Sequence, residues 1–252
     1  MYAPLTFSEE EGVRYLHFGT EWVQGAMRLS QPFEIELDYA RQMMAWMLFV
    51  HEPHHIVQLG LGAAALTKFC DRAYPEAQVT AVELNPAVIR AARTMFKLRA
   101  DDERLEVLEA DAFAFVDDEQ RHDSIDALQV DLYDASARGP VLDSIEFYAR
   151  CRACLRAPGV MTVNLFGDHP SFRHNIKTIG AAFEGRIVAL PEVHEGNRVV
   201  LAFKGPPLEV RVAELYRRAT EIERAFDIEA RPWVSAVKVS LGLSGNNALL
   251  RI

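Results

Sequence analysis

Three acids end three successive apolar runs. "AVELN" (81–85) closes on Glu83, "EADAF" (109–113) on Asp111, and "ALQVDLYD" (127–134) on Asp131, with Asp134 three residues further on. A carboxylate at the first position can take both hydroxyls of a ribose. One at the second can accept from an adenine amino group. The pair Asp131 and Asp134 can hold an ammonium group and withdraw its proton, although a solvated acidic loop would read the same way. Ahead of these acids, "QLGLGAAALTKF" (58–69) sets Gly60, Gly62 and Ala65 at the Gly-x-Gly-x-x-Gly/Ala spacing. Glycines there let the backbone approach a ligand, and the next helix start offers free N–H groups. A plain strand-to-helix turn would use the same glycines. NAD sites share the first acid, whereas the second belongs to adenosyl-sulfonium sites, so the set points to an AdoMet-like nucleoside.

The elements that must position these groups alternate. "HIVQLG" (55–60), "QVTAVEL" (78–84), "RLEVLEA" (104–110), "IDALQVDLY" (125–133) and "GVMTVNLF" (159–166) predict buried parallel strands. "AALTKFCDRAY", "PAVIRAARTMFKL", "AFAFVDDEQ", "SIEFYARCRACLR" and "FRHNIKTIGAAFE" predict helices, the second with Asn85 as N-cap and Pro86 at its first position. "RIVALPEV" and "NRVVLAFKG" are separated only by "HEG", too short for a parallel crossover, so they must pair antiparallel. The fold class is therefore α/β, a class I AdoMet methyltransferase-like (Rossmann-like) sheet, parallel with a C-terminal antiparallel hairpin. Residues 1–50 predict a small N-terminal region, a β-meander in "VRYLHFGTEWVQGAMRLS" followed by an apolar-faced helix, "LDYARQMMAWMLFV". Residues 51–252 form the methyltransferase-like domain. Its C-terminal extension predicts a helix over "EVRVAELYRRATEIERAF", then the Trp233 segment and an irregular end, "LGLSGNNALLRI".

The 252 residues carry a formal charge of −9, which argues against a nucleic-acid surface. No apolar run reaches membrane-spanning length, and "MYAPLTFSEEEG" lacks a basic stretch followed by an apolar one, so a cytoplasmic protein is expected. Cys70, Cys151 and Cys154 cannot form a disulfide framework, and the last two lie inside a helical pattern, as core cysteines do. "HEPHH" (51–55) matches the His-Glu-x-x-His zinc pattern, but Pro53 cannot sit inside the helix that chemistry needs. No metal is expected.

From about residue 12 to 205 the chain resembles the spermidine synthase (polyamine aminopropyltransferase) family. The matching features are Gln24 in "VQ", Tyr39 in "LDYARQM", "VELN", "EADAF", the Asp-x-x-Asp of "DLYD", and "DSIEFYARCRACLRAPGVMTVN". The resemblance implies aminopropyl transfer from decarboxylated AdoMet to an amine acceptor, with release of methylthioadenosine and no tightly bound cofactor. By family role, Gln24, Glu83, Asp111 and Ala112 would hold the nucleoside, Asp131 would be the general base, and Asp134 would contact the acceptor. Tyr39 would help to hold the attacking nitrogen. A homodimer through the N-terminal region is also implied.

The departures lie in the donor loop and the acceptor half. The family's Gly-Gly-Gly-Asp-Gly-Gly loop has an aspartate for the donor's aminopropyl end, where this chain has Ala63. Ala40 replaces the Gln or His after the tyrosine, Val193 a tyrosine in the last turn, and no proline directly follows Asp134. Another acid, such as Glu192 or Glu195, would have to compensate for Ala63. Two alternatives stay open: AdoMet-dependent methyl transfer, which Ala63 would permit, and a degenerate nucleoside-binding or interaction protein.

Overall fold

The computed structural model describes residues 3–133, 141–167, 169–193 and 196–252. The chain opens on three short strands, β1 (Thr6–Glu10), β2 (Val13–His17) and β3 (Val23–Arg28), paired antiparallel in that order as the expected meander. Helix α1 (Asp38–Met43) then tightens into a 3-10 turn over Met44–Leu48. The sequence pattern predicted one apolar-faced helix here, and the structure corrects it. "MAWML" is buried on every side in the main core, so no polar stripe exists to set an amphipathic α-helical register.

The main sheet follows the predicted alternation. β4 (His55–Leu59), α2 (Ala65–Ala73), β5 (Gln78–Glu83), α3 (Pro86–Met95), β6 (Leu105–Glu109), α4 (Ala112–Asp117), β7 (Ile125–Val130), α5 (Ile145–Cys154) and β8 (Leu155–Phe166) come in turn. After α6 (Phe172–Ala182) come β9 (Ile187–Ala189) and β10 (Asn197–Lys204). The spatial order is β6-β5-β4-β7-β8-β10-β9, with β10 antiparallel to both neighbours and the other pairings parallel. Reversal of order at β4 and β7 creates the crevice at the C-terminal strand ends where such sheets bind ligands. Strand β7 is buried at all six residues, as expected of a strand covered on both faces.

Caps fix where the helices begin. Asn85 accepts from Ala87 N at 3.0 Å with Pro86 at the first helical position, Asp111 accepts from Ala114 N at 2.9 Å, and Ser144 accepts from Phe147 N at 3.1 Å. The tail differs from expectation. Glu209–Arg211 is a strand, β11, not the start of α7 (Val212–Phe226), and the Trp233 segment forms α8 (Arg231–Ser240). The irregular end holds β12 (Leu249–Arg251), which pairs antiparallel with β11 and buries Leu250 opposite Val210.

All three cysteines are buried, and burial pushes their thiols upward. Residues 51–54 are not helical. His55 begins β4, with its ring nitrogen 3.0 Å from Thr80 Oγ1, so "HEPHH" does not place two histidines one helical turn apart. Among the described residues, no helix is long and apolar enough to cross a membrane.

Candidate active site

The connection after β4 is shaped by its neighbours. Gly60 has φ +90°, and a Cβ there would stand 2.2 Å from the carbonyl oxygen of Asp131. Gly62 has φ +50°, and its Cβ would meet the Gln24 carbonyl at 2.9 Å. Both glycines are required by the protein's own packing, whatever the ligand. Ala64 takes the left-handed conformation at φ +56°, a strained setting for alanine of the kind that collects at functional sites.

Glu83, the last residue of β5, accepts from the loop at Leu61 N (3.0 Å) and from Asn85 N (2.8 Å). The Leu84 N–H also bonds to this carboxylate, so backbone donors from both sides of the strand end hold it in place. Burial raises its pKa, and these N–H groups oppose the rise. Asp111 caps α4 through Oδ1, leaving Oδ2 outside that bond.

Asp131 stands directly past β7. Asn164 Nδ2 donates to its Oδ1 at 2.9 Å, and the Tyr39 hydroxyl lies 3.4 Å from Oδ2. Burial raises its pKa, and the Asn164 and Tyr39 bonds work against that. Asn197 Nδ2 in turn donates to Asn164 Oδ1 at 2.9 Å.

These groups share one cavity of about 650 Å³ at the C-terminal edge of the sheet. Gln24, Tyr39, Gly60, Gly62, Glu83, Asp111, Ala112 and Asp131 all line it. Asp134 lies outside the described residues, as does Glu195. Four acids face the cavity, Glu21, Glu83, Asp111 and Asp131, and among the described residues no Lys, Arg or His does. Val82, Leu84, Ala110 and Leu142 supply an apolar wall.

Ala63 is buried against Gly25 and borders a side recess of about 20 Å³, shared with Gln24, Tyr39, Ala40 and Asp131. Glu192, suggested as a substitute acid, is exposed near Gly167 and Arg198 and does not line the cavity. Sequence reasoning missed Asn164, Asn197, Tyr133 and the edge-to-face pair Trp22–Phe166, whose ring centroids are 6.3 Å apart. A polar residue inside the apolar run "MTVNLF" was the available signal for Asn164.

Comparison with known proteins decides the family. Residues 39–196 match the model for the spermine/spermidine synthase domain. The chain belongs to the spermine/spermidine synthase family. A polyamine aminopropyltransferase of Neisseria meningitidis serogroup A is 34% identical over 234 residues, covering 92% of this chain and 88% of the relative. One from Chromobacterium violaceum is 34% identical over 231 residues, with the same coverage of both chains. Among solved structures, a probable spermidine synthase from Corynebacterium glutamicum superposes with TM-score 0.69 at 17% identity, covering 92% of this chain and 91% of that one. Human methyltransferase-like protein 13, solved with SAH, superposes with TM-score 0.66 at 18% identity over 76% of this chain and 93% of its own. These likenesses establish the methyltransferase-like fold.

Proposed function

We propose that the chain transfers an aminopropyl group from decarboxylated AdoMet to a primary amine. The observation that carries this reading is the charge of the cavity, four acids and no basic side chain among the described residues. Decarboxylated AdoMet brings a sulfonium and an ammonium, and the acceptor brings a second amine. AdoMet adds a carboxylate, for which this wall offers no cationic partner. Family membership and the aminopropyltransferase relatives support the same reading.

In this account the ribose hydroxyls donate to the Glu83 carboxylate, and Asp111 Oδ2 accepts from the adenine amino group. Gln24 and the Ala112 backbone complete the nucleoside site, against the apolar wall of Val82, Leu84, Ala110 and Leu142. Tyr39 holds the attacking nitrogen and Asp134 contacts the acceptor. That nitrogen forms a bond to the aminopropyl carbon attached to sulfur. The C–S bond breaks, its electron pair neutralises the sulfonium, and methylthioadenosine leaves. The proton lost by nitrogen goes to Asp131, a base whose raised pKa suits that task. No resident cofactor is required.

A cytoplasmic homodimer completes the proposal. Strand β1, exposed at all five residues and, among the described residues, paired only with β2, offers the N-terminal sheet an edge for assembly.

Incubation with decarboxylated AdoMet and a panel of primary amines tests the reading. Stoichiometric methylthioadenosine and aminopropylated amine are expected. Methylation of an acceptor from AdoMet, or no turnover of either donor, would overturn it.

A further inference from the structure

The sheet register sets three polar side chains in a row along its C-terminal edge. Val130 pairs with Val163 across β7 and β8, so Asp131 follows beside Asn164. Across β8 and β10, Asn164 pairs with Val199 and Phe166 with Asn197. Asn197 is thus the diagonal neighbour of Asn164 on the same face. Both asparagines are almost fully buried, at 2% and 6% exposure, so solvent is largely excluded from their amide groups.

A carboxylate only accepts hydrogen bonds, whereas an asparagine amide has a donor end and an acceptor end. Asn164 serves Asp131 only with its NH2 turned toward the acid; turned over, its oxygen would face the carboxylate. Asn197 Nδ2, donating to Asn164 Oδ1 at 2.9 Å, opposes that turn. The Tyr133 hydroxyl lies beside Asn197 at the far end of the row. At the near end, the 2.9 Å bond ties Oδ1 of Asp131, and Oδ2 is held only loosely at 3.4 Å from Tyr39.

We infer that Asn197 is a positioning residue for the transfer step. It acts through Asn164, locking that amide so that Asp131 presents Oδ2, and not Oδ1, to the acceptor's proton. The inference rests on Asp131 being the base. The titratable groups around Asp131 are Tyr39 from α1, Tyr133 on its own segment, Glu83 and Asp111 in the same cavity, and Glu21, also on the cavity wall. Among the described residues, none on that wall is a cation, so the amide row is the main polar support of the ionised acid.

The test combines a ¹³C NMR titration of the Asp131 carboxyl in the unliganded protein with transfer kinetics. Asn197→Ala, Asn164→Ala and the double variant are compared with the parent chain. Asn197→Ala should raise the Asp131 pKa by about one unit and lower kcat about tenfold, leaving the donor KM within about twofold. Adding Asn197→Ala to Asn164→Ala should change nothing further, because the effect travels through Asn164. Additive losses, or an unshifted Asp131 titration in a folded Asn197→Ala, would overturn the inference. If Asn197→Ala does not fold, Asn197→Leu, which keeps nearly the same volume and has no donor, is read in the same way. A parent chain that transfers no aminopropyl group would defeat the functional reading alone, since the titration reports the relay without turnover.

Discussion

Gly25 of β3 packs against Ala63 so closely that a Cβ on the glycine would stand 2.7 Å from both the Cβ and the backbone N of Ala63. The N-terminal sheet is thereby pressed onto the donor loop, and this contact explains the small residues on both sides. The recess beside Ala63, about 20 Å³, has room for one water and none for a carboxylate. Ala63→Asp and Gly25→Ala are each expected to destabilise the chain by about 1–3 kcal/mol. Urea unfolding at neutral pH measures this, and an unchanged midpoint for both variants would refute the contact's role.

Asp131→Asn should separate stability from activity. Burial raises the folded pKa above the unfolded value, so the folded chain binds more protons between the two. Stability then falls as pH rises through that window and stays lower at neutral pH. The amide keeps an oxygen for Asn164 and turns its NH2 toward Tyr39, so it carries no such cost. A midpoint of unfolding at or above the parent's is expected, with kcat down by about 10²–10⁴. The parent's kcat/KM should fall as pH drops through the raised pKa of this base.

Glu83→Gln should weaken the donor site. The charged carboxylate now takes the backbone N–H groups of Leu61, Leu84 and Asn85 and, in the proposed complex, the ribose. A neutral amide must turn its NH2 toward one of those N–H donors. The loss is about 1.5–3 kcal/mol, roughly 10- to 100-fold in donor Kd. Calorimetry checks it, and an unchanged Kd would remove Glu83 from the site.

Much of this site was legible because β-α-β alternation places every strand end on one edge. Glu83, Asp111 and Asp131 could be assigned there from local pattern alone. Asn197 could not, because its place depends on the register of an antiparallel pair, and Asn197 and Asn164 are far apart in sequence. The same applies to Glu209–Arg211, which local periodicity extends into α7 but which pairs with Leu249–Arg251. Lys68 looks like an ordinary polar-face residue of α2. In the fold it is buried, with Nζ 2.7 Å from the carbonyl oxygens of both Pro32 and Phe96.

That lysine gives a pH signature. Burial pushes its ammonium down to about 8. From there up to the unfolded value the unfolded chain binds more protons, so this group makes stability rise with pH. Lys68→Met should remove that contribution. Urea midpoints of parent and variant across pH roughly 7 to 10 measure the difference, and parallel curves would contradict it.

The most direct test of the account is a calorimetric titration of the purified chain with decarboxylated AdoMet and, separately, with AdoMet. A cavity lined by Glu21, Glu83, Asp111 and Asp131 predicts that the decarboxylated donor binds at least about tenfold more tightly. Equal or tighter binding of AdoMet would contradict it.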